Sequence, residues 1–380
     1  MKKQTFILAP DSFKGSMTAQ EVCNAMEGGI RKVLPDAVCI HIPMADGGEG
    51  TVQSLVDVTQ GKIYEQVVMG PLGIPVTATY GIMGDSETAV IEMASASGIG
   101  YVNEQTRNPL ITTTYGTGEL ILTCLDKGIK KIILGIGGSA TNDGGAGFAQ
   151  ALGVKFLDKE GKELLPGGAA LVNLNAIDIS GIDPRLKEVE IEVACDVSNP
   201  LCGKNGASAV FGPQKGATPE MVKTLDNALT HYATIIKKQL EKDIKDIPGA
   251  GAAGGLGAGL LAFTTAKLES GIEIILTYTR FCEIVKKGDI VFTGEGRIDS
   301  QTQFGKTPFG VAKVAKNEGK TVIAITGSIG EGVEQLDDTF DAIFSILPYP
   351  MLLDKALATG KSNVSCTVEN ITRLIARVQK

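Results

Sequence analysis

Short β-branched runs that end on small or acidic residues recur along this chain, with helix-like segments between many of them. The runs fall at 5–11 (TFILAPD), 38–46 (VCIHIPMAD), 88–93, 130–138 (KKIILGIGG), 189–196 (VEIEVACD), 289–296 (DIVFTGEG), 321–327 and 341–347. Each is predicted to be a strand. Helices are predicted near 18–33, 48–59, 116–127, 143–153, 218–240, 255–269, 308–318 and 363–378, the first opened by Thr18 and Glu21 at capping-box spacing. Such alternation specifies an α/β protein with largely parallel sheets.

Residues 61–90 break the rhythm. They carry Gly-Pro punctuation and period-two alternation without a helix, which suits antiparallel strands and the start of a second domain. Simple strand–helix alternation returns from about 289. The expected organisation is therefore two α/β domains. Residues 1–65 and 286–380 form a discontinuous, doubly wound parallel sheet, and residues 66–285 form an inserted mixed-sheet domain.

Glycine is in excess, with 48 residues clustering after the strands at 47–50 (GGEG), 135–147, 249–259 and 294–296. Ligands of open α/β sheets bind beyond the carboxyl ends of the strands. Glycine there permits positive φ and lets backbone N–H groups approach an anion. Several such loops together point to a phosphate-bearing ligand. GAGAAG (249–254) has dinucleotide-fingerprint spacing, but LEKDIKDIP before it reads as a helix end and turn. A loop entering a closely packed Gly/Ala-rich helix is the competing reading. FGKTP (304–308) resembles the tail of a P-loop, yet Ser300 stands where the first glycine would be.

Other function classes are excluded by composition. A formal charge of −7 disfavours nucleic acid or an anionic membrane as main partner. The seven cysteines form no CxxC, and two histidines with no GxSxG motif disfavour zinc sites and histidine-dependent triads. Mean hydropathy is +0.13, no stretch reaches the ~20 apolar residues of a spanning helix, and the N-terminal apolar run is too short for a signal peptide. A cytoplasmic protein is expected.

The polar residues gather at the same strand ends. APDSFKGS (9–16) places Asp11, Ser12, Lys14 and Ser16 in one turn before the first helix, where Lys14 could clamp an anion or the group could merely satisfy a turn. GGSATNDGG (137–145) sets Ser139, Thr141, Asn142 and Asp143 between glycine pairs. Asp46, Glu49, Asp196, Glu295 and Asp299 all lie at or just past strand ends. Such carboxylates can hold Mg²⁺ or accept a hydroxyl proton in phosphoryl transfer; each alone could equally be a solvated loop acid. Lys306, at a helix start, could meet a phosphate.

In their order, APDSFKGS, ADGGEGT, GGSATNDGG, CDVSNPLCG, FGPQKGA, GAGAAGGLG and TGEGRIDSQT resemble the type 1 glycerate kinase family, from residue 5 to about 375. The resemblance implies a Rossmann-like domain plus a second α/β domain, with D-glycerate and ATP meeting in a cleft between them and Mg²⁺ as cofactor. It implies phosphorylation of glycerate, leaning toward the 2-position. On that basis Asp196, Asp299 and Lys14 are the catalytic candidates. Ser12, Arg297 and Asp46 are candidates for substrate. Gly137, Gly138, Ser139, Thr141, Gly294, Glu295 and Lys306 are candidates for nucleotide, and Asp46 and Glu49 for metal. Asp46 and Glu49 are expected to face the cleft. Alternatives are a kinase for another small hydroxy acid, a dehydrogenase, or an organic-anion binding protein.

Overall fold

A computed structural model describes residues 3–378, with α/β architecture throughout. The chain forms two compact units. One gathers the chain up to Asp46 with the chain from Gly271 onward; the other is Gly47–Ser270. These divisions precede the expected ones by 19 and 15 residues, and pairing explains why. The helix Thr51–Thr59 and the strand Lys62–Met69 pack with the second unit's sheet, through antiparallel pairing of Lys62–Met69 with Pro75–Ile82. The helix Gly271–Tyr278 instead packs on Thr307–Asn317, with Gly310 giving room to Ile272.

The first unit is a five-stranded, wholly parallel sheet. Its spatial order is Ala342–Ser345, Thr321–Ile329, Ile290–Ile298, Thr5–Pro10, Val38–His41. Phe6, Ile7 and Leu8 are all fully buried, as expected for a strand covered on both faces. Phe6 and Leu8 face the helices Ala19–Arg31 and Gly360–Val378 through Val22, Met26, Val364 and Val368. The opening capping box is present: Thr18 Oγ1 accepts the Glu21 N–H at 3.2 Å, and Glu21 accepts the Thr18 N–H at 3.0 Å. The chain runs outward from Thr5–Pro10 to Val38–His41, then returns on the other side of Thr5–Pro10 as Ile290–Ile298. The sheet's order therefore reverses between Thr5–Pro10 and Ile290–Ile298, which makes their carboxyl ends the switch point where α/β folds bind ligands.

The second unit carries a six-stranded mixed sheet. Its antiparallel part comprises Lys62–Met69, Pro75–Ile82 and Thr88–Glu92; Lys131–Gly135, Glu190–Ala194 and Lys267–Glu269 then run parallel to Thr88–Glu92. Lys267–Glu269 corrects the expected helix over 255–269. That helix stops at Phe263 because Thr264 turns to extended backbone and its hydroxyl accepts the Ala266 N–H at 3.1 Å. The helix expected from 48 begins at Thr51, since Gly47 and Gly50 take φ of 89° and 95°. A short hairpin, Lys155–Leu157 with Ala176–Asp178, lies outside the sequence-predicted strands.

Candidate functional site

At the switch point of the first unit the end of each neighbouring strand contributes a polar group. The Asp11 N–H donates to the Gly294 carbonyl at 2.8 Å, which locks the turn after Thr5–Pro10 to the end of Ile290–Ile298. Asp11 Oδ1 accepts the Ser12 N–H at 2.5 Å, and Oδ2 accepts the Thr307 hydroxyl at 2.8 Å. Burial, then the neighbouring Asp46 carboxylate, pushes Asp11 up to about 7, with Glu295 adding a smaller push; the Thr307 and Ser12 hydrogen bonds oppose it. Glu295 accepts Thr302 Oγ1 at 2.9 Å and pairs with Lys306 Nζ at 3.1 Å. Burial raises the Glu295 carboxyl, with Lys306 and Thr302 pulling it down and Asp46 adding to the rise. Lys306 is the N-cap of the helix Thr307–Asn317, so a cation and a helix amino terminus share this end of the sheet.

Other candidates in the same unit are disposed around these groups. Ser12 is half-buried beside Asp11. Lys14 is exposed on a tight turn pinned by paired Phe13 and Met17 backbone bonds of 2.9 Å, with Gly15 at φ 76°. A Cβ at Gly296 would lie 3.8 Å from the Lys14 nitrogen, so this turn lies against the end of Ile290–Ile298. Arg297 is exposed and pairs with Asp299 Oδ2 at 3.0 Å. Asp299 also caps the following 3₁₀ turn, accepting Gln301 N–H at 3.0 Å. Gly294 is buried, and its missing side chain is what lets the Ile325 carbonyl approach.

The second unit presents its own glycine and acid loops, again at carboxyl strand ends. Glu92, at the end of Thr88–Glu92, accepts the N–H groups of Gly50 at 3.0 Å and Val52 at 2.9 Å. It thus caps the helix Thr51–Thr59 and fixes the GGEG loop, while Glu49 itself is exposed. Gly137 packs close to Gly48, a Cβ there falling 3.2 Å from the Gly48 Cα. Gly137 and Gly138 are exposed; Ser139 and Thr141 are buried. Asp196 is exposed, its Oδ1 accepting the Ser270 hydroxyl at 2.9 Å. Asp46 belongs to the first unit and Glu49 to the second.

Two buried charges in the second unit, Asp143 of the GGSATNDGG loop and Lys215 of FGPQKG, were given no specific role from the sequence. Asp143 is fully buried and accepts Thr114 N–H and Oγ1 at 2.8 and 2.9 Å, Gly145 N–H at 3.1 Å and Gly147 N–H at 3.2 Å. Burial raises its carboxyl despite these donors. Lys215 is buried as well, and burial pulls its ammonium down to about 7, with Asp143 opposing. The only sequence signals were the acid between glycine pairs and the lysine in FGPQKG; burial is invisible in either. The GAGAAGGLG segment proves to be packing. Ala253, Gly254 and Gly255 all take positive φ, the Gly144 N–H donates to the Gly254 carbonyl at 3.0 Å, and Gly259 leaves room for Gly145.

The chain as a whole is similar to known proteins. The glycerate kinase family model matches residues 6–376. Glycerate kinase of Halalkalibacterium halodurans is 55% identical over 368 residues, 97% of each chain. Glycerate 2-kinase of Escherichia coli K12 is 53% identical over 371 residues, again 97% of each. The solved structure of a glycerate kinase 2 from Salmonella typhimurium LT2 matches with a TM-score of 0.89 at 50% identity, covering 99% of both chains. The chain belongs to the glycerate kinase family.

Proposed function

We propose that this chain phosphorylates D-glycerate at the 2-hydroxyl, taking the γ-phosphoryl group from ATP in the presence of Mg²⁺. Family membership and close relatives named glycerate kinase, one of them a glycerate 2-kinase, support the substrate and the position. The observation that carries the chemistry is the group Asp11, Asp46, Glu295, Lys306 and Thr307 at the switch point of the parallel sheet. Phosphoryl transfer asks little covalent work of a protein; it asks for positioning and charge neutralisation. A lysine at a helix amino terminus supplies both for a phosphate.

The carboxylates fit Mg²⁺. Burial lifts Asp11 and repulsion from Asp46 adds to the rise; a hard divalent cation would relieve both. Among the described residues no group of three or more His, Cys, Asp or Glu is placed to hold a metal ion by itself. Mg²⁺ usually takes one or two carboxylates and shares the substrate phosphates. Asp11 and Asp46 would hold it; the ion would neutralise charge on the phosphates. Glu49, exposed on the other unit, is a weaker candidate than the sequence suggested. Lys14 and Arg297, exposed cations near the same strand end, suit the glycerate carboxylate. Asp196, exposed just past the carboxyl end of Glu190–Ala194, is the better candidate for proton acceptor, while Asp299 caps its own turn and pairs with Arg297.

Among the described residues no helix is long and apolar enough to cross a membrane. The test is an ADP-release assay with D-glycerate, followed by ³¹P NMR of the product. ADP release and a 2-phosphoglycerate resonance are expected. No release with D-glycerate but turnover of another hydroxy acid would keep the kinase and remove the substrate.

A further inference from the structure

We propose that Lys215 is a positioning residue that makes the turn Gly137–Ser139 a receptor for an oxyanion, either a nucleotide phosphate or the glycerate carboxylate. This rests on the proposed kinase function only for the identity of the two anions.

Lys215 ends the short 3₁₀ turn Pro213–Lys215, closed by Gly216 at φ 93°, and is 1% exposed. Its Nζ donates to Ser139 Oγ at 2.7 Å and to the Thr141 carbonyl at 2.6 Å. An ammonium group has donors and no acceptor. Ser139 Oγ must therefore accept from Lys215, and its own proton is left to point elsewhere. The rest of the turn is short of acceptors too. The Gly138 carbonyl already takes the Ile99 N–H at 2.8 Å, and the Ala140 N–H is spent on the Ser97 carbonyl at 3.0 Å. The consecutive N–H groups of Gly137, Gly138 and Ser139 enter none of the hydrogen bonds made by the described residues.

The turn thus offers three amides and one hydroxyl proton as donors, with Gly138 in the left-handed region at φ 73° and both glycines open to solvent. Successive amides in such a conformation form anion-binding concavities. A cation is buried behind them. The buried carboxylate Asp143 acts on Lys215 electrostatically but directs its oxygens to Thr114, Gly145 and Gly147 and makes no hydrogen bond to it. An ammonium held without a paired carboxylate is costly to bury. An oxyanion on the Ser139 hydroxyl would supply the missing complement. Thr141 Oγ1, buried in the same loop, is also without a partner among the described residues. The loop is not arranged simply to satisfy its own polar atoms.

The experiment measures ADP and D-glycerate binding separately by calorimetry, with steady-state KM and kcat, for the full chain and for Lys215→Met, Ser139→Ala and the double variant. Lys215→Met and Ser139→Ala should each weaken the same ligand about tenfold or more, with kcat changed less. The double variant should be no weaker than Ser139→Ala alone, because the lysine acts through the serine. Lys215→Gln, which keeps a donor without the charge, should recover part of the loss, and it serves as the test if the methionine variant does not fold. A change confined to ADP identifies a phosphate; one confined to D-glycerate identifies the carboxylate. If Ser139→Ala weakens a ligand while the Lys215 variants do not, or if the two effects simply multiply, the role of Lys215 is overturned. If no variant alters either ligand, the turn is not an anion receptor. The binding arms are read whether or not D-glycerate drives ADP formation, so failure of the kinase reading is seen separately.

Discussion

The Thr307 hydroxyl donates to Asp11 Oδ2 at 2.8 Å, joining residues 296 apart in sequence where the strand order of the parallel sheet reverses. Thr307 thereby orients a carboxylate that its surroundings hold near 7, and Asp46 supplies part of that push. Removing the charge has opposite consequences for folding and for catalysis. Asp11→Asn is expected to raise the Tm of the ligand-free protein by a few degrees, since it removes a buried charge and, with it, the repulsion from Asp46. It is also expected to lower kcat by at least about 100-fold and to weaken the Mg²⁺ dependence of turnover. Thermal melts with and without Mg²⁺, alongside kinetics, check both. A variant with wild-type kcat would exclude Asp11 from the reaction.

Lys306 separates phosphate binding from a merely structural ion pair. If it serves only Glu295, Lys306→Met changes Tm and leaves kinetics alone. If it meets a phosphate, KM for ATP rises by about tenfold while KM for D-glycerate changes less. The second outcome is expected, and initial-rate measurements varying each substrate distinguish the two.

The proton acceptor is tested by a pair of substitutions. Asp196→Asn should reduce kcat by about 100-fold or more with modest change in KM. Asp299→Asn should act chiefly through its cap on Gln301 and its pairing with Arg297, lowering Tm and raising KM for D-glycerate. Near-wild-type kcat in both variants would remove both from the chemistry.

Much of this architecture was legible. Each β-branched run is a strand in the structure, and central ones such as Thr5–Pro10, covered on two faces, leave an unbroken apolar signature. The strand-end placement of Asp11 and Asp196 followed from the same runs, whereas Glu295 lies within Ile290–Ile298 and Asp46 lies beyond the short strand Val38–His41. What the letters concealed was which glycines serve ligands and which serve packing. Gly254 and Gly138 both sit in glycine-rich loops and both take positive φ, yet the first is pressed against the Thr141 backbone and the second faces solvent. That difference is tertiary. Lys215 was hidden for the same reason: a lysine between Gly212 and Gly216 reads as a solvated turn, and only the fold removes it from water. Short edge strands such as Lys267–Glu269 were missed because three residues carry too little periodicity.

Glu49 and Glu92 distinguish a ligand acid from a structural one within the GGEG segment. Glu92→Ala leaves the Gly50 and Val52 N–H groups without their acceptor, and should cost about 1–2 kcal/mol and lower Tm accordingly. Glu49 is exposed, so Glu49→Gln should alter stability by no more than about 0.5 kcal/mol. Any change in kcat/KM in that variant then reports a contact with substrate or metal. Unchanged kinetics would assign the whole segment to loop geometry.

The buried Lys215 predicts a pH signature that its methionine variant lacks. Its folded value, about 7, lies below the ordinary value of 10.5, so folding disfavours the charged form. Above 10.5 the lysine is neutral in both states and costs nothing. As pH falls from there, the unfolded chain takes up the proton before the folded one, and the protein loses stability until the folded lysine is also charged near pH 7. Below that the cost is constant. The Tm difference between Lys215→Met and the wild type should therefore grow in favour of methionine from pH 10 to pH 7 and then level off. Asp143, packed nearby, is present in both proteins and largely cancels in the difference. Melts across that range, read as the difference at each pH, check the sign. A difference that is flat from pH 10 to pH 7 would mean that the lysine keeps its proton when buried.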